Sequence, residues 1–183
     1  MGTSSSTCRA LLHQTPCGPV VIAENGAAIT HISLGTMHHP SNTTGESSPL
    51  LAQAAAQLDE YFQGRRHAFD LPLAPQGTAF EQSVWNALQT IPYGETRSYA
   101  DMARQIGNPT ACRAIGRANG RNPIGIVIPC HRVIGANGAL TGYAGGLGIK
   151  QYLLELEQGA VSPLTLPGMD MPHREFKHGK NGR

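Results

Sequence analysis

At Cys130, His131 and Arg132 a thiol, an imidazole and a guanidinium stand side by side. A cysteine becomes a nucleophile as its thiolate, and a thiol of ordinary pKa, about 8.5, is only a few per cent ionised at neutral pH. Lowering that pKa by about two, worth about 2.7 kcal/mol, would make the thiolate the main form. The triplet ends the apolar run Ile124-Gly-Ile-Val-Ile128, closed by Pro129. The run reads as a buried strand stopped by proline, with Cys130 at its end. The other cysteines, Cys8, Cys17 and Cys112, form no Cys-x-x-Cys, and no His-x-x-x-His is present, so no zinc site or other metal is expected. Reduced thiols fit best.

The segment before the thiol is basic. Net charge is only +2, but residues 97–132 carry six arginines against Asp101, a local +5 between flanks of −4 and +1. A basic patch on a nearly neutral chain suits a phosphate-contacting face. Within it, Ser98 and Asp101 have the spacing of a capping box, and a helix continues through Met102 and Ile106 to Gly107. After the Asn108-Pro109 turn, 110–119 should be a second helix, giving a helix-turn-helix pair. On this second helix Ala114, Gly116 and Ala118 permit close approach, while Arg113, Arg117 and Arg121 recur every fourth residue.

The elements that must carry these parts read as follows. Residues 20–34 form two strands about Asn25-Gly26, a strong hairpin signal. A helix starts at Ser48-Pro49 and buries Leu51, Ala54, Leu58, Tyr61 and Phe62, ending near Gly64. Phe69, Leu71 and Leu73 alternate as a last short strand. Thr78 caps a helix with Phe80, Val84, Trp85 and Leu88, and 149–158 is an amphipathic helix with Glu155 and Glu157 on its polar side. The Gly-rich stretch 141–146 is a loop near the thiol. Expected units are a structural domain over 1–74, without catalytic residues of its own, a second over 78–160, and a flexible basic tail over 161–183. No run approaches a membrane span or a secretory signal, so a cytoplasmic protein is expected, nuclear if the source is eukaryotic.

Arg113-Ala-Ile-Gly-Arg-Ala-Asn-Gly-Arg-Asn122-Pro123, Ile128-Pro-Cys-His-Arg-Val133 and Thr141-Gly-Tyr-Ala-Gly-Gly146 together closely resemble the O6-alkylguanine-DNA alkyltransferases. The resemblance covers about 78–158, and more weakly the N-terminal half. It implies an α/β (α+β) fold, with an RNase-H-like small sheet and helix followed by a mostly helical, winged-helix-like domain. It also implies single-turnover transfer of an alkyl group from O6 of guanine, less readily O4 of thymine, to Cys130, without a cofactor. By resemblance His131 activates the thiol through a bridging water and Glu157 orients the imidazole. Tyr99 donates to the departing guanine, and Asn122 ties the helix pair to the cysteine strand. Arg113, Ala114, Gly116, Arg117 and Arg121 meet the DNA minor groove, Arg113 replacing the extruded base. Tyr99, Val133, Tyr143 and Ala144 line the base pocket. The implied partner is double-stranded DNA carrying O6-alkylguanine, bound by a monomer. Two other readings compete: damage recognition without transfer, and a thiol hydrolase, which leaves the arginines unexplained.

Overall fold

The computed structural model describes residues 8–34, 43–44 and 47–161. The expected polar lead, most of the 35–48 loop and the tail from 162 lie outside the described residues.

The hairpin forms about Asn25-Gly26 as expected. Asn25 Oδ1 accepts from the amides of Ala27 and Ala28 at 3.1 and 3.0 Å, and Gly26 takes φ +88°, which a side chain would resist. Its strands, β2 (Gly18–Glu24) and β3 (Ile29–Leu34), pair antiparallel with Ile22 opposite Ile32. A third strand with no clear sequence signal, β1 (Cys8–Thr15), pairs with β2, Leu11 opposite Ile22. Adjacent Leu11 and Leu12 hide its alternation, and Leu12 is exposed. A two-residue β4 (Thr43–Thr44) runs parallel to β1, giving the order β3-β2-β1-β4. Helix α1 (Pro49–Phe62) packs on β1 and β2, its first turn capped by Ser48 Oγ accepting from Leu51 N at 3.1 Å.

The expected strand at Phe69–Leu73 does not form. Pro72 and Pro75 remove donors, so only Leu73 bridges Ile29, through Ile29 N to Pro72 O and Ala74 N to Ile29 O, both 2.8 Å.

In the second half, α2 (Ala79–Leu88) opens on a reciprocal capping box between Thr78 and Glu81. The short strand β5 (Arg97–Ser98) leads into α3 (Tyr99–Gln105), opened by the same device between Ser98 and Asp101. Helix α4 (Cys112–Gly120) packs against both α2 and α3, and Trp85 Nε1 donates to Ala118 O at 3.0 Å. The helix pair read from sequence is therefore α3 and α4. Strand β6 (Val133–Ile134) pairs parallel with β5, and α5 (Leu147–Glu157) closes the fold. Side chains of both halves, from Val20 and Leu58 to Trp85 and Leu153, share one apolar cluster.

The stretch before the thiol departs from its reading as a strand. Ile124 makes one bridge to Ile32 at the β3 edge, held by Ile32 N to Pro123 O and Gly125 N to Ile32 O, both 2.9 Å. The chain then turns back on itself, with Ile128 N donating to Ile124 O at 3.0 Å and Ile126 at φ +70°. Ile124, Ile126 and Ile128 are fully buried, as the apolar run implied. A turn held in a core hides apolar residues as well as a strand does, and periodicity alone does not separate them.

Candidate active site

Cys130 lies in a single 3-10 turn, Cys130–Arg132, rather than at a strand end. Just upstream, Asn122 spans the 124–128 turn: its Nδ2 donates to Ile128 O at 2.8 Å and its Oδ1 accepts from Ile124 N at 3.1 Å. It thus links the end of α4 to the thiol, though the partner is a turn and not the expected strand. Successive side chains of a 3-10 turn diverge by about a third of a revolution, so Cys130, His131 and Arg132 face different neighbours.

His131 and Arg132 both meet Glu157, the last residue of α5. His131 Nε2 lies 2.8 Å from Glu157 Oε1, while Arg132 donates through Nε to Oε2 at 2.8 Å and through Nη2 to Oε1 at 2.9 Å. Tyr61 of α1 donates its hydroxyl to Oε1 at 2.7 Å, and Gly94 N donates to Oε2 at 3.0 Å. Glu157 is therefore no polar-face residue of an amphipathic helix: α5 is buried from Lys150 to Glu157. Burial raises the Glu157 carboxyl, but His131 and Arg132 together outweigh it and hold it well below the usual carboxylate range. His131 Nδ1 is buried with no hydrogen-bond partner among the described residues. Burial lowers the His131 pKa, against the pull of Glu157, so the imidazole is neutral at pH 7.

The thiol departs from expectation. Burial pushes Cys130 up, and the Asn122 side chain and the Lys150 charge only partly offset it. At rest this site holds a thiol, not a thiolate. Lys150 was not legible as a site residue. Fully buried, it donates through Nζ to Val133 O at 2.6 Å and Thr141 O at 2.8 Å, and burial lowers its pKa to about 8.

The pocket residues come together through the pairing of β5 with β6. Arg97 sits opposite Val133, so Tyr99, two residues on, starts α3 beside the thiol turn. Its hydroxyl lies 3.5 Å from Thr141 O, the carbonyl that Lys150 also holds. Val133 is fully buried, Tyr99 and Tyr143 are half-buried, and Ala144 is exposed. A separate cleft of about 730 Å³, lined by His67, Phe69, Tyr93, Pro129 and Arg132 among others, backs the turn, but Cys130 does not line it.

The basic block is narrower than its formal charge. Arg132 points inward, Arg97 pairs with Glu95 at 2.8 Å, Arg104 pairs with Asp101, and Arg121 donates to Glu81 at 3.0 Å. Arg113 and Arg117 stand exposed on α4, with Ala114 and Gly116 half-buried between them. Cys112 is half-buried against the core.

Residues 9–75 match the family model described as the 6-O-methylguanine DNA methyltransferase ribonuclease-like domain, and residues 79–159 match that family's DNA binding domain. The chain is 50% identical over 149 residues to the methylated-DNA–protein-cysteine methyltransferase of Methanosarcina acetivorans, covering 80% of this chain and 96% of that one. It is also 50% identical over 152 residues to the constitutive enzyme of that name from Bacillus subtilis, over 79% and 92% of the two chains. The crystal structure of Mycobacterium tuberculosis OGT in complex with DNA superposes with a TM-score of 0.79 at 46% identity, over 87% of this chain and 98% of that one. With both domains matched in order and half of all aligned residues shared, the chain belongs to the 6-O-methylguanine DNA methyltransferase family.

Proposed function

We propose that the chain repairs DNA by moving the alkyl group of O6-alkylguanine onto Sγ of Cys130, once per molecule and without a cofactor. The observation that carries this is a buried thiol in the same 3-10 turn as a buried imidazole, His131, whose Nε2 a buried carboxylate holds while its Nδ1 has no partner among the described residues. Because the thiol rests protonated and His131 is neutral, the proton leaves Sγ as sulfur attacks rather than beforehand. Sulfur forms a bond to the alkyl carbon, the carbon–O6 bond breaks, and guanine leaves with its electron pair. The thiol's proton passes through a bridging water to Nδ1 of His131, which no described protein group occupies, and Tyr99 supplies a hydrogen bond or proton to the departing base. Hydrolysing the thioether would require displacement at an alkyl carbon that nothing in this site activates, so the molecule is consumed.

O6 cannot reach Sγ from inside a duplex, so the base must leave the stack. Arg113 and Arg117, exposed on a helix of small residues, suit a minor groove approached closely, with Arg113 filling the gap. Arg121 contributes less, being tied to Glu81. The flipped base lies against Tyr99, Val133, Tyr143 and Ala144, and Asn122 keeps the thiol turn in register with α4. One chain per lesion, acting as a monomer, suffices for this chemistry. Duplex DNA with one O6-methylguanine should lose one lesion per chain and then stop; continued loss over time would exclude acceptance by the protein itself.

A further inference from the structure

Glu157 joins the two halves of the chain, and one of its donors comes from the N-terminal half. Oε1 takes three: Tyr61 Oη at 2.7 Å, His131 Nε2 at 2.8 Å and Arg132 Nη2 at 2.9 Å. Oε2 takes two, Arg132 Nε at 2.8 Å and Gly94 N at 3.0 Å. Tyr61 is fully exposed to neither solvent nor cleft: its accessible surface is 0%, between Phe62, Phe69 and Tyr93. Burial and the nearby Glu157 charge keep its hydroxyl protonated, so it can only donate to the carboxylate.

We propose that Tyr61 is a positioning residue for alkyl transfer, sharing the Glu157 carboxylate with His131 so that the imidazole stays neutral and free to accept the thiol's proton. This rests on the acceptor chemistry given above. A carboxylate with a single partner would draw the Nε2 proton strongly and favour an imidazolium, which is useless as a base. Here Arg132 balances the charge of Glu157, and Tyr61 occupies part of the very oxygen that His131 uses. The other titratable and charged groups about the pair are Lys150 toward His131, with Cys130 next to it in the chain and acting on Lys150, and Tyr93 and Tyr143 near Glu157. None of these donates a hydrogen bond to Oε1. The N-terminal half then serves the reaction directly, in addition to supporting the fold.

Tyr61→Phe in the full-length chain tests this, since it keeps the ring in its aromatic cluster and removes only the donor. The ring nitrogens of His131, followed by ¹⁵N NMR against pH, should titrate at higher pH than in the unsubstituted protein by about half a unit to one unit. The acid limb of the transfer rate should move by the same amount, with duplex affinity unchanged. A lower rate at every pH with His131 titrating where it did before would overturn the proposal and leave Tyr61 a packing residue. The NMR titration needs no substrate, so a failure of alkyl transfer itself would show separately, as no methylation of the unsubstituted chain. Should Tyr61→Phe not fold, a fluorinated tyrosine placed at position 61 alone keeps the ring and makes the hydroxyl a stronger donor: His131 should then titrate at lower pH, and an unchanged titration would overturn the proposal.

Discussion

At the residue level the proposed transfer uses a neutral donor-acceptor pair rather than a resting thiolate. Cys130 and His131 were legible as neighbours in sequence, and Glu157 entered through the family resemblance. The direction of the thiol's pKa was not legible, because it depends on how deeply the 3-10 turn is buried. With His131 lowered, the transfer rate should be flat at neutral pH and fall only as His131 protonates below about 6.5, its ordinary value. A rate that instead climbs steadily above pH 7 would mean that a pre-formed thiolate carries the reaction. The same shifts set acid stability. Both Glu157 and His131 have folded-state pKa values below their unfolded ones, so the unfolded chain binds more protons and stability falls as pH drops, first below about 6.5 and then below about 4.3. Denaturant midpoints measured from pH 7 to pH 4 should decrease throughout. Arg132→Met should cost about 3–5 kcal/mol by leaving Glu157 buried with too few donors, seen as an earlier urea midpoint at unchanged slope.

At the level of elements, capping residues and punctuation marked the helices well: Ser48, Thr78 and Ser98 each cap the helix they were expected to begin. Strands were harder. β1 is half exposed with two adjacent leucines, and the Ile124–Ile128 run buries its isoleucines in a turn whose one ladder contact among the described residues is with Ile32. No local pattern reveals that partner, 92 residues earlier in the chain. The six arginines likewise looked alike until their partners were known. Arg113→Ala and Arg117→Ala should each lower the slope of log affinity against log salt for duplex DNA by about one, whereas Arg121→Ala should change it less because Glu81 already compensates it. Anisotropy titrations at several salt concentrations separate the three. Arg113→Ala should also slow repair in duplex far more than reaction with free O6-benzylguanine; equal losses would remove Arg113 from base extrusion.

For the whole molecule, two of the contacts between the halves bear on the thiol turn. Ile124 docks on the β3 edge just before the turn that presents Cys130, and Tyr61 reaches from α1 to the carboxylate that holds His131. Within the second half Gly94 also steadies Glu157: its φ is +76°, and a Cβ added there would lie 3.1 Å from the Glu157 carbonyl oxygen, leaving little room for a side chain. Gly94→Ala should therefore destabilise the protein by about 1–2 kcal/mol and slow transfer together. Acceptance of the alkyl group by Cys130 itself is the step to be measured most directly. Intact mass followed by peptide mapping, after incubation with duplex containing O6-methylguanine, should show one added methyl per chain, located on Cys130 and absent in Cys130→Ser. No adduct, an adduct on another residue, or undiminished repair by Cys130→Ser would contradict it.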